Sequence, residues 1–242
     1  MAPALFISIL NIMQKTKYFI GKKASLLIIA TVLLSFSLIS YIGIIVSLIL
    51  ISVNHKKLKL VAVCALILIV LSFGAYKILP EIRVRINDTI AILSGKKPID
   101  KVNLSTFAFY SNGFVACKSF MRNPLFGSGL GSHPLSYDRY ISEVINPDNI
   151  TYALNKEDAS GLFLRLVSET GLLGIFIFSY FIFRFYVSRA RDGYLWAMSN
   201  AIICLFVLNL LRQGNYFYNG FLLFIWLYYF THRNAQNKPV PL

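Results

Sequence analysis

The sequence predicts an all-α fold: a polytopic integral membrane helical bundle with one long external loop containing short helices. Three observations carry that expectation. The chain is 57% hydrophobic with a mean hydropathy of +0.64, more apolar surface than a soluble core of this size hides. Apolar runs near 58–79, 171–188, 194–211 and 217–231 approach the ~20 residues that cross a ~30 Å hydrocarbon layer. Between the first two runs lies 80–170, which holds nine of the ten acidic residues.

Taken in order, the chain opens with MAPALFISILNIM, which has no basic residue before its apolar run and no small-residue cleavage site. It reads as the end of a helix and not as a signal peptide. The apolar stretch 24–53 is too long for one upright helix and too short for two complete crossings. Basic pairs flank it at Lys22-Lys23 and Lys56-Lys57, which favours a broken pair of short helices interrupted near Ser35–Ser37 or Ser40-Tyr41. One long tilted helix is the alternative. With the span at 58–79, these form an N-terminal membrane region, 1–79. The loop 80–170 follows, then three C-terminal membrane helices within 171–231 and a cytoplasmic tail, 232–242.

Charge orients this arrangement. The formal net charge of +14 would suit nucleic acid if it formed one patch, but ten bases nearly balance the nine acids of the loop. The excess lies in the short segments QKTKYFIGKK, NHKKLK, SRAR and HRNAQNK. Short basic segments mark the cytoplasmic side of a membrane, so membrane lipids replace nucleic acid as the expected partner and the loop faces away from the cytoplasm. Cys64, Cys117 and Cys204 have no metal-site or disulfide spacing, and no cofactor or metal is called for.

A loop of about 90 residues is longer than a connection requires. Its segment 105–121 has helical periodicity with Phe107, Phe114 and Phe120 on apolar faces. Arg122-Asn-Pro124 ends that helix, and the FGSGLGS that follows is a chain of turns whose amides suit an anion. Near the loop's end, EDASGLFLRLVSETGLLG has a cap-like Asp158 or Ser160, and helical spacing would align Asp158, Arg165 and Glu169 on one stripe. A solvated face with an Arg165–Glu169 pair is the plainer account of that stripe.

The pairing of NPLFGSGLGS with LFLRLVSETGLLG about thirty residues later, together with LLSFSLISYIGIIVSLIL upstream, resembles the O-antigen ligase and polymerase superfamily of bacterial envelope enzymes. The resemblance covers roughly 24–230 and implies that the chain corresponds to the C-terminal half of a member. Ligases of the superfamily carry a histidine where this chain has Ser160, and an arginine where it has Leu38. The resemblance therefore implies a polymerase of undecaprenyl-diphosphate-linked repeat units, O-antigen or capsular, in the bacterial inner membrane with the loop in the periplasm or at the cell exterior. A ligase joining polysaccharide to lipid A core is the alternative.

It further implies a metal-independent glycosyl transfer with a chain-length regulator and a flippase as partner proteins. Arg122, Lys118, Arg139, Arg165 and Arg212 become candidates for the diphosphate, since guanidinium and ammonium groups stabilise a departing anion. Asp158, Glu169 and His133 become candidates for accepting a hydroxyl proton. A non-enzymatic transporter subunit is the competing class, but it would place ionisable groups inside its helices. The candidate spans contain almost none beyond Lys77 and Arg184, both near ends.

Overall fold

The computed structural model describes residues 1–15, 17–35, 37–55, 66, 73–74, 76–189, 191–217 and 220–237. Among these the protein is all-helical, with no strand. In chain order the helices are α1 (Ala2–Gln14), α2 (Lys22–Leu34), α3 (Leu38–His55), α4 (Pro80–Leu93), α5 (Leu104–Arg122), α6 (His133–Tyr140), α7 (Leu162–Arg184), α8 (Gly193–Arg212) and α9 (Phe221–Asn237). Local chemistry explains several ends. Asn103 caps α5 by accepting from the Thr106 amide at 3.1 Å. Asp192 accepts from the amides of Tyr194 and Leu195, at 2.8 and 2.9 Å, ahead of α8. Pro80 and Pro134 stand in the first turns of α4 and α6, where a missing amide costs nothing.

The apolar stretch 24–53 is divided between α2, which ends at Leu34, and α3, which begins at Leu38. By length and composition two helices, α7 and α8, are long and apolar enough to cross a membrane. The run at 58–79 lies largely outside the described residues, and α9 has 17 residues.

The chain divides into two compact units. One comprises Met1–Ile69, Tyr180–Leu208 and Tyr216–Leu242; the other comprises Val70–Ser179 with Asn209–Asn215. The first packs Leu5, Phe6 and Leu10 of α1 with Val32, Ile51, Trp196, Ala201 and Cys204. Phe6 meets Trp196 edge to face with centroids 6.4 Å apart. Asn11 fixes the α1–α2 turn, donating to Tyr18 O and Ile20 O at 3.0 Å and accepting from the Tyr18 amide at 2.7 Å.

The second unit has an apolar cluster of Ile92, Ile99, Phe107, Val115, Tyr137, Ile141 and Ile145. Asp88 ties α4 to the start of α5, accepting from Lys97 Nζ at 2.6 Å and from the Asn103 amide at 2.7 Å. The Lys97 ammonium, with both Asn103 donors, holds the Asp88 carboxyl below its usual range. This unit is larger than the loop the sequence marks out. It also takes in the first part of α7 and the segment 209–215, because Gly214 packs directly against the Asp158 carbonyl.

Candidate functional site

Both loop motifs lie in the second unit, and they are interlocked backbone to backbone. The amide of Ser128 donates to Ser168 O at 3.0 Å, and that of Gly129 to Glu169 O at 2.9 Å. In return Leu172 and Leu173 donate to Pro124 O and Leu125 O, at 2.9 and 3.0 Å. These bonds exist because α7 breaks at Gly171, whose φ of 59° and ψ of −150° free the flanking amides and carbonyls from the helix ladder. That conformation is nearly confined to glycine. A Cβ on Gly171 would also stand 2.6 Å from Pro124 O, and one on Gly127 would collide with the Glu169–Thr170 peptide.

The carboxylate of Glu169 is the centre of the clasp. Fully buried, it accepts from the Gly131 amide at 2.9 Å, the His133 amide at 3.2 Å and Arg165 Nε at 2.9 Å. Arg165 in turn donates through Nη1 to Gly214 O at 3.1 Å, so the 209–215 segment is drawn into the same network. A buried charge is tolerable only with partners of this quality.

His133 is fully buried beside it. Its Nε2 lies 3.0 Å from Asn112 Oδ1 and its Nδ1 lies 2.8 Å from Ser168 Oγ. The Asn112 amide nitrogen is occupied by Ala108 O, Leu154 O and Ser160 Oγ. With Oδ1 thus the acceptor, the bonding pattern assigns a proton to His133 Nε2, while Nδ1 bonds the Ser168 hydroxyl, which also lies 3.1 Å from Arg165 O. Burial, with the Arg165 charge opposing Glu169, pulls the imidazole down from 6.5 to about 4. With both ring nitrogens bonded inside the clasp, His133 is held away from solvent.

The remaining candidates separate. Asp158 does not join a stripe with Arg165 and Glu169, because α7 begins at Leu162 and residues 159 and 160 adopt positive φ of 53° and 60°. Its Oδ1 instead accepts from the Ser160 amide at 3.0 Å, forming a local turn. Ser160 Oγ donates to Ala108 O at 2.9 Å and is a buried packing hydroxyl. Lys118 pairs with Glu143 at 2.6 Å and lies 5.4 Å from the Phe114 ring centre. Arg212, at the end of α8, is exposed.

Arg122 and Arg139 are both exposed, and Arg122 first, then Arg139, holds the Tyr140 phenol below the usual tyrosine range. The geometry thus sorts the eight candidates into a buried clasp (Glu169, Arg165, His133), an exposed basic rim (Arg122, Arg139), a local turn (Asp158), an ion pair (Lys118) and an isolated terminus (Arg212). Sequence reasoning missed Asn112, Ser168 and Gly214. Asn112 offers one signal, an amide in the middle of the apolar face of a helix, where an unpaired polar group would be costly. Among the described residues no cluster of His, Cys, Asp and Glu forms a metal site. No protein-family model, curated protein or solved structure matches the chain.

Proposed function

We propose that the chain is a membrane glycosyltransferase that polymerises undecaprenyl-diphosphate-linked oligosaccharide repeat units, of O-antigen or capsular type, on the outer face of a bacterial inner membrane. The observation that carries this reading is the interlock of NPLFGSGLGS with RLVSETGLL. The two segments on which the resemblance rests are about thirty residues apart in the chain and share one clasp, with the exposed arginines Arg122 and Arg139 nearby in sequence. Local turns and a solvated helix face would not require the two to meet.

In this reading a sugar hydroxyl of the incoming unit attacks the anomeric carbon of the growing glycan. The bond from that carbon to the diphosphate oxygen breaks, and the lipid diphosphate departs with the bonding electrons. Two guanidinium groups suit the departing anion, since they fork onto phosphate oxygens. Asp158 is the acceptor for the hydroxyl proton, because Glu169 is fully engaged and His133 is buried. Glu169, Arg165, His133 and Asn112 hold the turn in place as positioning residues.

Deleting the gene and resolving the surface glycan by gel tests the reading. A polymerase leaves material one repeat long, whereas a ligase leaves long chains on the lipid carrier and a flippase leaves units on the inner leaflet. In the complemented strain, Arg122→Ala with Arg139→Ala should reduce polymerisation on the order of 100-fold at unchanged protein level. Long carrier-linked chains in the deletion strain would overturn the proposal.

A further inference from the structure

The glycine-rich turn has a second property that the clasp does not use. Its outward side chains are apolar: Leu125 is 59% exposed, Phe126 70% and Leu130 77%. Leu135 in the first turn of α6 and Met121 at the end of α5 are exposed beside them in sequence. Leu125 is tied through its carbonyl to Leu173, and Leu172, Leu173, Phe176 and Ile177 of α7 are exposed as well.

The length of α7 gives that exposure a consequence. After the break at Gly171 only 184 − 171 = 13 helical residues remain, ~20 Å at 1.5 Å per residue, against a hydrocarbon layer of ~30 Å. The whole helix of 23 residues is long enough, but its first turns carry Arg165, Ser168 and Glu169. All three are shielded, with Glu169 and Ser168 fully buried and the Arg165 side chain 12% exposed. The shield is the turn itself, whose amides at 128, 129, 131 and 133 are satisfied by the Ser168 and Glu169 carbonyls and the Glu169 carboxylate. Irregular backbone reaches membrane depth only when its polar groups are met by protein in this way.

From this we infer that the segment 124–135 is a membrane-embedded element: Leu125, Phe126 and Leu130 enter the headgroup–acyl boundary beside α7 and complete the lipid-facing surface that the part of α7 after Gly171 is too short to supply. The partner is the lipid bilayer. Arg122 and Arg139 fit the same placement, since guanidinium groups at that boundary meet lipid phosphates. The inference rests on α7 crossing the membrane, which the test reads separately.

The full chain is reconstituted into vesicles of phosphatidylethanolamine and phosphatidylglycerol with brominated acyl chains, and added tryptophan emission is taken as the difference from the parent protein. Phe126→Trp should lose as much emission to the bromines as Ile177→Trp in α7, while Ile150→Trp, fully exposed in the connection before α7, loses none and is quenched by aqueous iodide. Iodide quenching of Phe126→Trp with bromine quenching of Ile177→Trp would overturn the inference and leave the crossing intact. Absence of bromine quenching at both positions would remove the crossing and the inference together. A Phe126→Trp signal shielded from both quenchers would mean that protein covers the turn, and would also overturn it.

Discussion

The two units are stabilised by opposite means. The unit containing α1 to α3 has an interior of Phe6, Leu10, Trp196, Phe206 and small residues. It carries three buried polar atoms, Ser8 Oγ, Ser52 Oγ and Asn200 Oδ1, that have no hydrogen-bond partner among the described residues. The other unit buries Asn112, His133, Ser160, Ser168 and Glu169, and each is bonded. Apolar packing is non-directional and absorbs an unpaired hydroxyl here and there. A buried network with a charge at its centre does not, because each member left alone costs its full desolvation. The first unit should therefore degrade gradually under substitution, and the second should fail abruptly.

Both tryptophans, Trp196 and Trp226, belong to the first unit, so their emission reads it selectively, while hydrogen exchange at 124–133 reads the second. The largest effect is expected for Gly171→Ala, which combines a backbone conformation closed to alanine with a Cβ 2.6 Å from Pro124 O. It should cost more than about 4 kcal/mol and abolish exchange protection at 128, 129 and 172 without moving the tryptophan transition. Retained protection would mean that the clasp does not depend on the break.

Glu169→Ala follows, at roughly 3–5 kcal/mol, since it strands the Arg165 charge and two amides. Phe6→Ala in the other unit has a similar nominal cost of about 3–5 kcal/mol, yet it should shift the tryptophan transition and spare the exchange of 124–133. A common response of both probes to both variants would erase the distinction between the units.

Acid sharpens the comparison next. The His133 pKa lies below its unfolded value, so the unfolded chain takes up the proton first as pH falls. The stabilisation is complete above about 6.5 and is lost as pH drops toward about 4. At about 1.4 kcal/mol per pH unit that gap corresponds to roughly 3 kcal/mol. Exchange at 128–133 should accelerate across that window in the parent protein, and a flat profile would place His133 in water. The smallest effect is expected for Lys118→Ala, which breaks the half-exposed pair with Glu143 and should change the exchange-derived stability by less than about 1 kcal/mol.

Much of the helical order was readable from hydropathy, because α7 and α8 are long periodic runs with little competing signal. The Arg165–Glu169 pair followed from i,i+4 spacing alone. What could not be read was the environment of that pair. The same spacing describes a solvated stripe and a buried clasp, and only Gly131, His133 and Gly214 arriving from elsewhere in the chain decide between them. Asp158 shows the converse: Glu-Asp-Ala-Ser looks like a helix start, but positive φ at Ala159 and Ser160 delays the helix to Leu162. Left-handed alanine and serine leave no trace in sequence. The exposure of Leu125, Phe126 and Leu130 was likewise hidden, since a segment rich in glycine, proline and serine reads as polar.

Arg165 bonds to the carbonyl of a residue 49 positions downstream. At a synthesis rate of roughly 5–20 residues per second, that carbonyl does not yet exist for about 2 to 10 s after the arginine is made. The donors from Gly131 and His133 have already been made by then, so of all the partners gathered around Glu169 and Arg165 the Gly214 carbonyl is the last to be synthesised.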